Sequence, residues 1–231
     1  EYWVIEVDLQ KPGVSDFLRA RLEKMDGGDV ELPTQEVTRK MIEEIQKQKF
    51  LVSAVSEKEV RRKPQPPFIT STLQQEAFHK LGFNAARTMM VAQELYEGLE
   101  IGKEEAIGLI TYMRTDSVSV AQEALNRVRN FIKKDYGDSY LPAEPNAYKS
   151  RKSAQEAHEA IRPSDVLRRP EDLKAFLDED QYKLYDLIWR RFVSSHMTPA
   201  VYKQKRVEIK AGRFEFSSSG SPLIFDGYLT V

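Results

Sequence analysis

Gly108-Leu109-Ile110-Thr111-Tyr112-Met113-Arg114-Thr115-Asp116-Ser117 reads as a short apolar strand that carries a tyrosine and an arginine into a turn rich in hydroxyls. Leu109, Ile110, Tyr112 and Met113 favour extended backbone, while Thr115, Asp116 and Ser117 supply turn and helix-capping chemistry. Tyr112 and Arg114 alternate with Met113, so on a strand both side chains leave the same face. A phenol with a pKa near about 10 is a poor nucleophile at neutral pH unless positive charge favours its ionised form. A guanidinium can supply that charge and can also hold a phosphate in its planar fork. For any single one of the 10 tyrosines, core packing is the ordinary role. It is the complete run, not the tyrosine alone, that argues for chemistry.

Outward from this run the hydrophobic period changes several times. Residues 1–9 alternate like a strand, with Trp3, Ile5, Val7 and Leu9 on one face. Lys11-Pro12-Gly13 turns the chain, residues 17–22 read as a second strand, and Asp26-Gly27-Gly28-Asp29 as another turn. From Thr34, a good N-cap, the period becomes helical, with Val37, Met41, Ile42 and Ile45 on one face. Residues 50–62 return to strand character before Pro64, Pro66 and Pro67 mark a boundary.

From Phe68 to about His196 the chain reads as helical. Ser71 with Gln74 and Thr72 with Gln75 each fit a capping box. A helix to about Leu81, the turn Gly82-Phe83-Asn84, and a helix to Glu97 stopped by Gly98 give the spacing of a helix-turn-helix. A plain helical hairpin has the same spacing, and composition alone favours it. Further helices are predicted over 118–136, 153–161 and 170–196, the last breaking near Asp178-Glu179-Asp180. Leu184, Leu187, Ile188 and Phe192 form its core face. Strand character returns over 201–209, 213–217 and 223–231.

The pattern predicts an α+β, multi-domain chain. A discontinuous β-rich domain over 1–66 and 198–231 carries an inserted helical domain over 67–197. With 231 residues, 35 Lys and Arg against 36 Asp and Glu, and a net charge of −1, no global positive field draws the chain to nucleic acid. The balance counts against an autonomous DNA-binding domain, although local basic patches still bind phosphate. Cysteine is absent, which excludes disulfides, zinc-ribbon spacing and thiol chemistry. There is no signal-peptide pattern or membrane-length apolar run, so a soluble intracellular protein without membrane partners is expected.

Three blocks carry a family resemblance. Tyr112-Met113-Arg114-Thr115-Asp116-Ser117 resembles the active-site tyrosine motif of bacterial type IA DNA topoisomerases. Ser153-Ala154-Gln155-Glu156-Ala157-His158-Glu159-Ala160-Ile161-Arg162-Pro163 is similar to the family's histidine-bearing segment. Pro67-Phe68-Ile69-Thr70-Ser71-Thr72-Leu73-Gln74-Gln75-Glu76 resembles the entry to the helical domain. Three blocks in family order are far more specific than one short pattern. The resemblance implies that the β-rich domain is part of a toroidal gate, and that the helical domain carries the tyrosine beside single-stranded DNA.

On that resemblance Tyr112 attacks a DNA phosphodiester and is joined to the 5′ phosphate. Arg114 stabilises the developing charge, and His158, expected on a helix capped by Ser153 with Glu156 behind it, donates to a phosphate oxygen. A solvated helix histidine is the ordinary alternative for His158. Arg162 is a further phosphate contact; Gln93 and Glu97 either line the DNA pocket or are an exposed helical pair. Thr111, Thr115 and Asp116 complete the DNA-binding set by shaping the turn. Residues 99–107 are expected as a surface hairpin or loop that some members shorten.

The resemblance also implies Mg²⁺, with ligands in a separate Toprim domain, and no ATP. That domain's Asp-x-Asp-x-Glu pattern is not in this sequence. Asp178-Glu179-Asp180 reads as solvated charge, so no metal ligands are assigned here. The expected reading is therefore a central piece of a cytoplasmic, nucleoid-associated enzyme that relaxes negatively supercoiled DNA. Its partners are single-stranded and supercoiled duplex DNA and the enzyme's own Toprim and C-terminal domains. The alternative is a non-catalytic helix-turn-helix DNA-binding or interaction module.

Overall fold

The computed structural model describes residues 3–102, 105–148 and 158–231. The chain forms two compact units, one from the chain up to Arg61 with Val201–Phe225, the other from Arg62–Ala200 with Asp226–Val231. No described helix is long and apolar enough to cross a membrane.

The first unit is a sheet with one helix. Its strands are β1 (Glu6–Gln10), β2 (Phe17–Met25), β3 (Gly28–Asp29), β4 (Phe50–Arg62), β5 (Ala200–Ala211), β6 (Phe214–Gly220) and β7 (Leu223–Phe225). They run in the order β1-β2-β6-β5-β4, with β3 on β2 and β7 on β5. β1 pairs antiparallel with β2, β2 with β6, and β5 with β6. Chain-distant strands thus lie side by side, since β2 and β6 are neighbours.

The helix of this unit, α1 (Gln35–Ile45), starts where Thr34 accepts the Val37 N–H through its hydroxyl. Its buried stripe is Thr38, Met41 and Ile45, packed with Ile5, Ala20, Leu22, Ile209, Phe214 and Phe216. Val37 and Ile42, expected on that face, are exposed. Thr38 takes the central place because its hydroxyl is satisfied by donating to the Thr34 carbonyl at 2.9 Å. Trp3 is likewise exposed, while Ile5 is buried and Val7 and Leu9 pack against the core. Glu57 of β4 is gripped by Lys203 and Lys205 of β5 at 2.6 and 2.9 Å. Hydrogen bonding from those two ammonium groups, Lys203 first, draws its pKa down to about 2.

The second unit is helical: α2 (Thr70–Leu81), α3 (Ala85–Glu97), α4 (Gln122–Asp135), the single turn α5 (Pro170–Leu173) and α6 (Glu179–Ser195). Neither expected capping box opens α2. The helix begins ahead of both, at Thr70, and Thr72 in its first turn accepts the Ile69 N–H at 3.1 Å. Gly82, at φ 72°, ends α2 in the left-handed region. Asn84 then caps α3 by accepting the Arg87 N–H at 2.8 Å. Between them Phe83 is buried under the Arg87 guanidinium, 4.5 Å from its ring centre, and Arg87 forks onto Asp180 at the start of α6.

The expected break near 178 is an N-cap, with Asp178 accepting the Gln181 N–H and the Gln181 side chain accepting in return. α6 drives Leu184, Tyr185, Ile188, Phe192 and Val193 into one core with Phe68, Leu73, Leu95, Leu109 and Met113. Just past its end His196 is 4% exposed, its Nδ1–H donating to the Phe192 carbonyl at 2.7 Å. Burial draws the imidazole pKa down to about 4. The predicted last strand over 223–231 is shorter than expected: β7 stops at Phe225 and a 3₁₀ turn, Gly227–Thr230, follows.

Candidate active site around Tyr112

The run from Gly108 to Ser117 is irregular, bends at Met113 and Arg114, and is not a strand of any sheet. Its partners are scattered, which leaves only an isolated bridge between Ile110 and Pro163. The Leu109 N–H donates to the Leu95 carbonyl on α3 at 2.7 Å, and the Thr111 N–H to the Arg162 carbonyl at 2.9 Å. The Thr111 hydroxyl donates to the Ala160 carbonyl at 2.7 Å. At the far end the Thr70 hydroxyl donates to the Met113 carbonyl at 2.7 Å and accepts the Thr115 N–H at 2.9 Å. The turn is built from hydroxyls: Thr115 accepts the Ser117 N–H and Ser117 accepts the Ser119 N–H.

These anchors fix the alternation the sequence proposes. Met113, Thr115 and Ser117 are buried, whereas Tyr112 and Arg114 are exposed. Tyr112 is 43% exposed, which fits a nucleophile and not a core aromatic. Its ring centre lies 6.2 Å from that of His158 and 5.5 Å from that of Tyr96. No carboxylate among the described residues pairs with Arg114, so its guanidinium stays open to an incoming anion.

His158 does not sit on a helix. Residues 158–160 are irregular and Ile161 bridges to Phe68. The backbone amides that a helix would use internally are taken by distant partners: Ala160 donates to the Ser119 carbonyl, Ile161 to Phe68, and Arg162 to the Thr111 hydroxyl. The proposed cap by Ser153 and Glu156 lies outside the described residues. Arg162 therefore shares no helical face with His158; its Nε donates to Glu159 at 2.7 Å and its Nη1 to the Pro163 carbonyl.

Gln93 and Glu97 lie one turn apart on α3, and the Gln93 amide donates to the Glu97 carboxylate at 2.5 Å. Asp116 is half-buried in the hydroxyl turn. Leu99 and Ile107 exchange backbone hydrogen bonds, so the ends of this stretch meet in an antiparallel bridge, with Leu99 and Ile101 packed on the core. Helix α4 is shorter than the predicted 118–136, because 118–120 are irregular and the helix starts only after Ala121.

Two residues went unnoticed in the sequence. Thr70 stood inside a quoted block, but its grip on the Met113–Thr115 backbone spans more than forty positions and leaves no local signal. Tyr96 lies between Gln93 and Glu97 in sequence, one turn on from Gln93, and its ring is the nearer aromatic neighbour of Tyr112.

A family model described as DNA topoisomerase matches residues 1–231. DNA topoisomerase 1 of Xylella fastidiosa is 41% identical over 100% of this chain and 29% of its own length. DNA topoisomerase 1 of Rickettsia bellii is 43% identical, again over 100% of this chain and 29% of its own. The structure of full-length topoisomerase I from Thermotoga maritima superposes with a TM-score of 0.78 at 36% identity, covering 98% of this chain and 35% of that one. The chain thus spans about three-tenths of the length of the curated relatives it matches.

Proposed function

Since the chain belongs to the DNA topoisomerase family, we propose that it is the tyrosine-bearing central part of a type IA enzyme that cuts one DNA strand, passes another through and reseals the cut. The observation that carries this is the exposed Tyr112 ring beside His158, in an anchored segment where Arg114, two residues on, is also exposed and pairs with no carboxylate among the described residues.

Tyr112 Oη attacks the phosphorus of a single-stranded DNA phosphodiester. An Oη–P bond forms, the P–O3′ bond breaks, and the phenol's proton is lost as the 3′ oxygen gains one. Resealing is the reverse, so no nucleotide is consumed. Arg114 and His158 face the phosphate oxygens, where a guanidinium and a ring N–H stabilise the transferring group. Thr111 and Thr115 hold the segment still, and Gln93, Glu97, Asp116 and Arg162 line the path of the strand.

Among the described residues no three side chains of metal-ligating type cluster. The magnesium chemistry expected of the family is therefore assigned to the Toprim domain, and no step here runs through it. In the same proposal 1–66 with 198–231 is the gate and 67–197 the domain that carries the tyrosine, acting on negatively supercoiled DNA in the cytoplasm. A non-catalytic helix-turn-helix module is not favoured, because the match runs through the tyrosine segment and the whole chain.

The test is to incubate the complete parent enzyme with end-labelled single-stranded DNA and quench with denaturant. A protein–DNA adduct that maps to Tyr112 supports the reading. An adduct at another residue, or none under conditions where the enzyme relaxes DNA, refutes it.

A further inference from the structure

We infer that Tyr96 is a positioning residue for Tyr112, holding the phenol ring in the orientation from which it attacks. The inference rests on the reading of Tyr112 as the nucleophile. Tyr112 is too exposed for core packing to fix its side chain, so its orientation depends on the few groups that touch the ring. Of these, Tyr96 stands closest, with ring centres 5.5 Å apart and planes inclined at 64°. That is the edge-to-face arrangement aromatic quadrupoles favour, and it biases one ring orientation by roughly two- to twelvefold.

A second observation shows that this proximity is built into the backbone. The tyrosine segment docks on the last turn of α3 through Leu109, whose N–H donates to the carbonyl of Leu95, the residue before Tyr96. One residue earlier, Gly108 passes so close to Tyr96 that a Cβ there would stand 2.6 Å from the Tyr96 carbonyl oxygen. Only a glycine lets the chain approach so closely. The segment carrying Tyr112 is thus registered against Tyr96 at its start and against Thr70 at its end. His158 touches the same ring from a different stretch of chain. Tyr96 itself is 39% exposed, so its ring contributes little to the core and is placed to orient a neighbour.

The experiment uses the complete parent enzyme and a labelled single-stranded oligonucleotide, measuring the single-turnover cleavage rate, the oligonucleotide Kd and the melting midpoint. Tyr96→Leu is expected to lower the cleavage rate about tenfold, with Kd within about twofold and the midpoint unchanged. Tyr96→Phe, which keeps the ring, is expected to cleave within about twofold of the natural enzyme. Should leucine lower the midpoint, Tyr96→Met, assayed well below its own midpoint, replaces it and must show the same split. A natural rate in the ring-less variants overturns the inference, and so does an equal loss of rate and binding, which marks a DNA contact instead. A Tyr96→Phe loss as large as that of leucine overturns it as well, since the hydroxyl would then matter and not the ring. Tyr112→Phe in the same assay separates the two readings. If Tyr112→Phe is inactive while Tyr96→Leu is natural, only the positioning fails; if Tyr112→Phe still cleaves, both fall.

Discussion

Replacing Tyr112 by phenylalanine removes one oxygen and keeps the ring that meets Tyr96 and His158. In the complete enzyme this change is expected to abolish cleavage while leaving the melting midpoint in place; relaxation by the purified variant would refute the nucleophile assignment. Arg114→Lys keeps the charge and loses the planar fork. It is expected to cut the cleavage rate at least tenfold while oligonucleotide binding changes by less than about threefold. Equal losses in the two measurements would make Arg114 a binding residue only. The exposure of this pair was legible in the sequence because apolar Met113 stands between two side chains with polar ends, and it is the apolar one that the core takes in. The setting of His158 was not. Its neighbours donate to Phe68, Thr111 and Ser119, and no nearby residue signals such partners, so a helical period was read into a stretch whose amides are spent elsewhere.

At the scale of elements, legibility followed the range of the interactions that end each one. Thr34, Asn84 and Gly82 act within a few positions, and the boundaries they set at α1, α2 and α3 were readable. The tyrosine segment is instead defined by contacts to α3, to Thr70 and to residues 160–164, and it was misread as a strand. Its docking on α3 gives a test: Gly108→Ala sets a methyl against the Tyr96 carbonyl. It is expected to cost about 1–3 kcal/mol in urea unfolding, and an unchanged urea midpoint would contradict the close approach.

The end of α6 gives a second test. His196 titrates near 6.5 when unfolded and at about 4 when buried. The unfolded chain therefore binds the extra proton between those values. Stability is full above about pH 6.5, falls on the order of 3 kcal/mol as pH drops toward 4, and levels off below. Urea midpoints measured from pH 7.5 to 4 should show this slope, and His196→Gln should flatten it. A slope that survives the substitution would assign the proton uptake to other groups, the carboxylates first.

For the whole molecule the sequence announced two kinds of architecture and could not announce their joinery. Strand periods at both ends and helical periods between them were plain, but the pairing of β2 with β6 joins residues nearly two hundred positions apart. What the chain contains bounds what it can do alone. It presents Tyr112, Arg114 and His158, yet its described residues hold no cluster of metal-ligating side chains, and it spans about three-tenths of its curated relatives. Its net charge of −1 offers little nonspecific attraction for the phosphate backbone. Residues 1–231 expressed by themselves are therefore expected to bind single-stranded DNA weakly, with an affinity that falls steeply as salt rises from 50 to 200 mM. They are also expected not to relax supercoiled DNA at any magnesium concentration. Adding a separately purified Toprim-containing segment of the parent should restore activity only where the two pieces dock around Tyr112, and Tyr112→Phe should abolish whatever is restored. The measurement is a gel-based relaxation assay across a magnesium series, with and without that segment. Relaxation by residues 1–231 alone, lost in Tyr112→Phe, would mean that these residues hold a complete active site, and the division of labour proposed between the tyrosine and the acidic domain would have to be withdrawn.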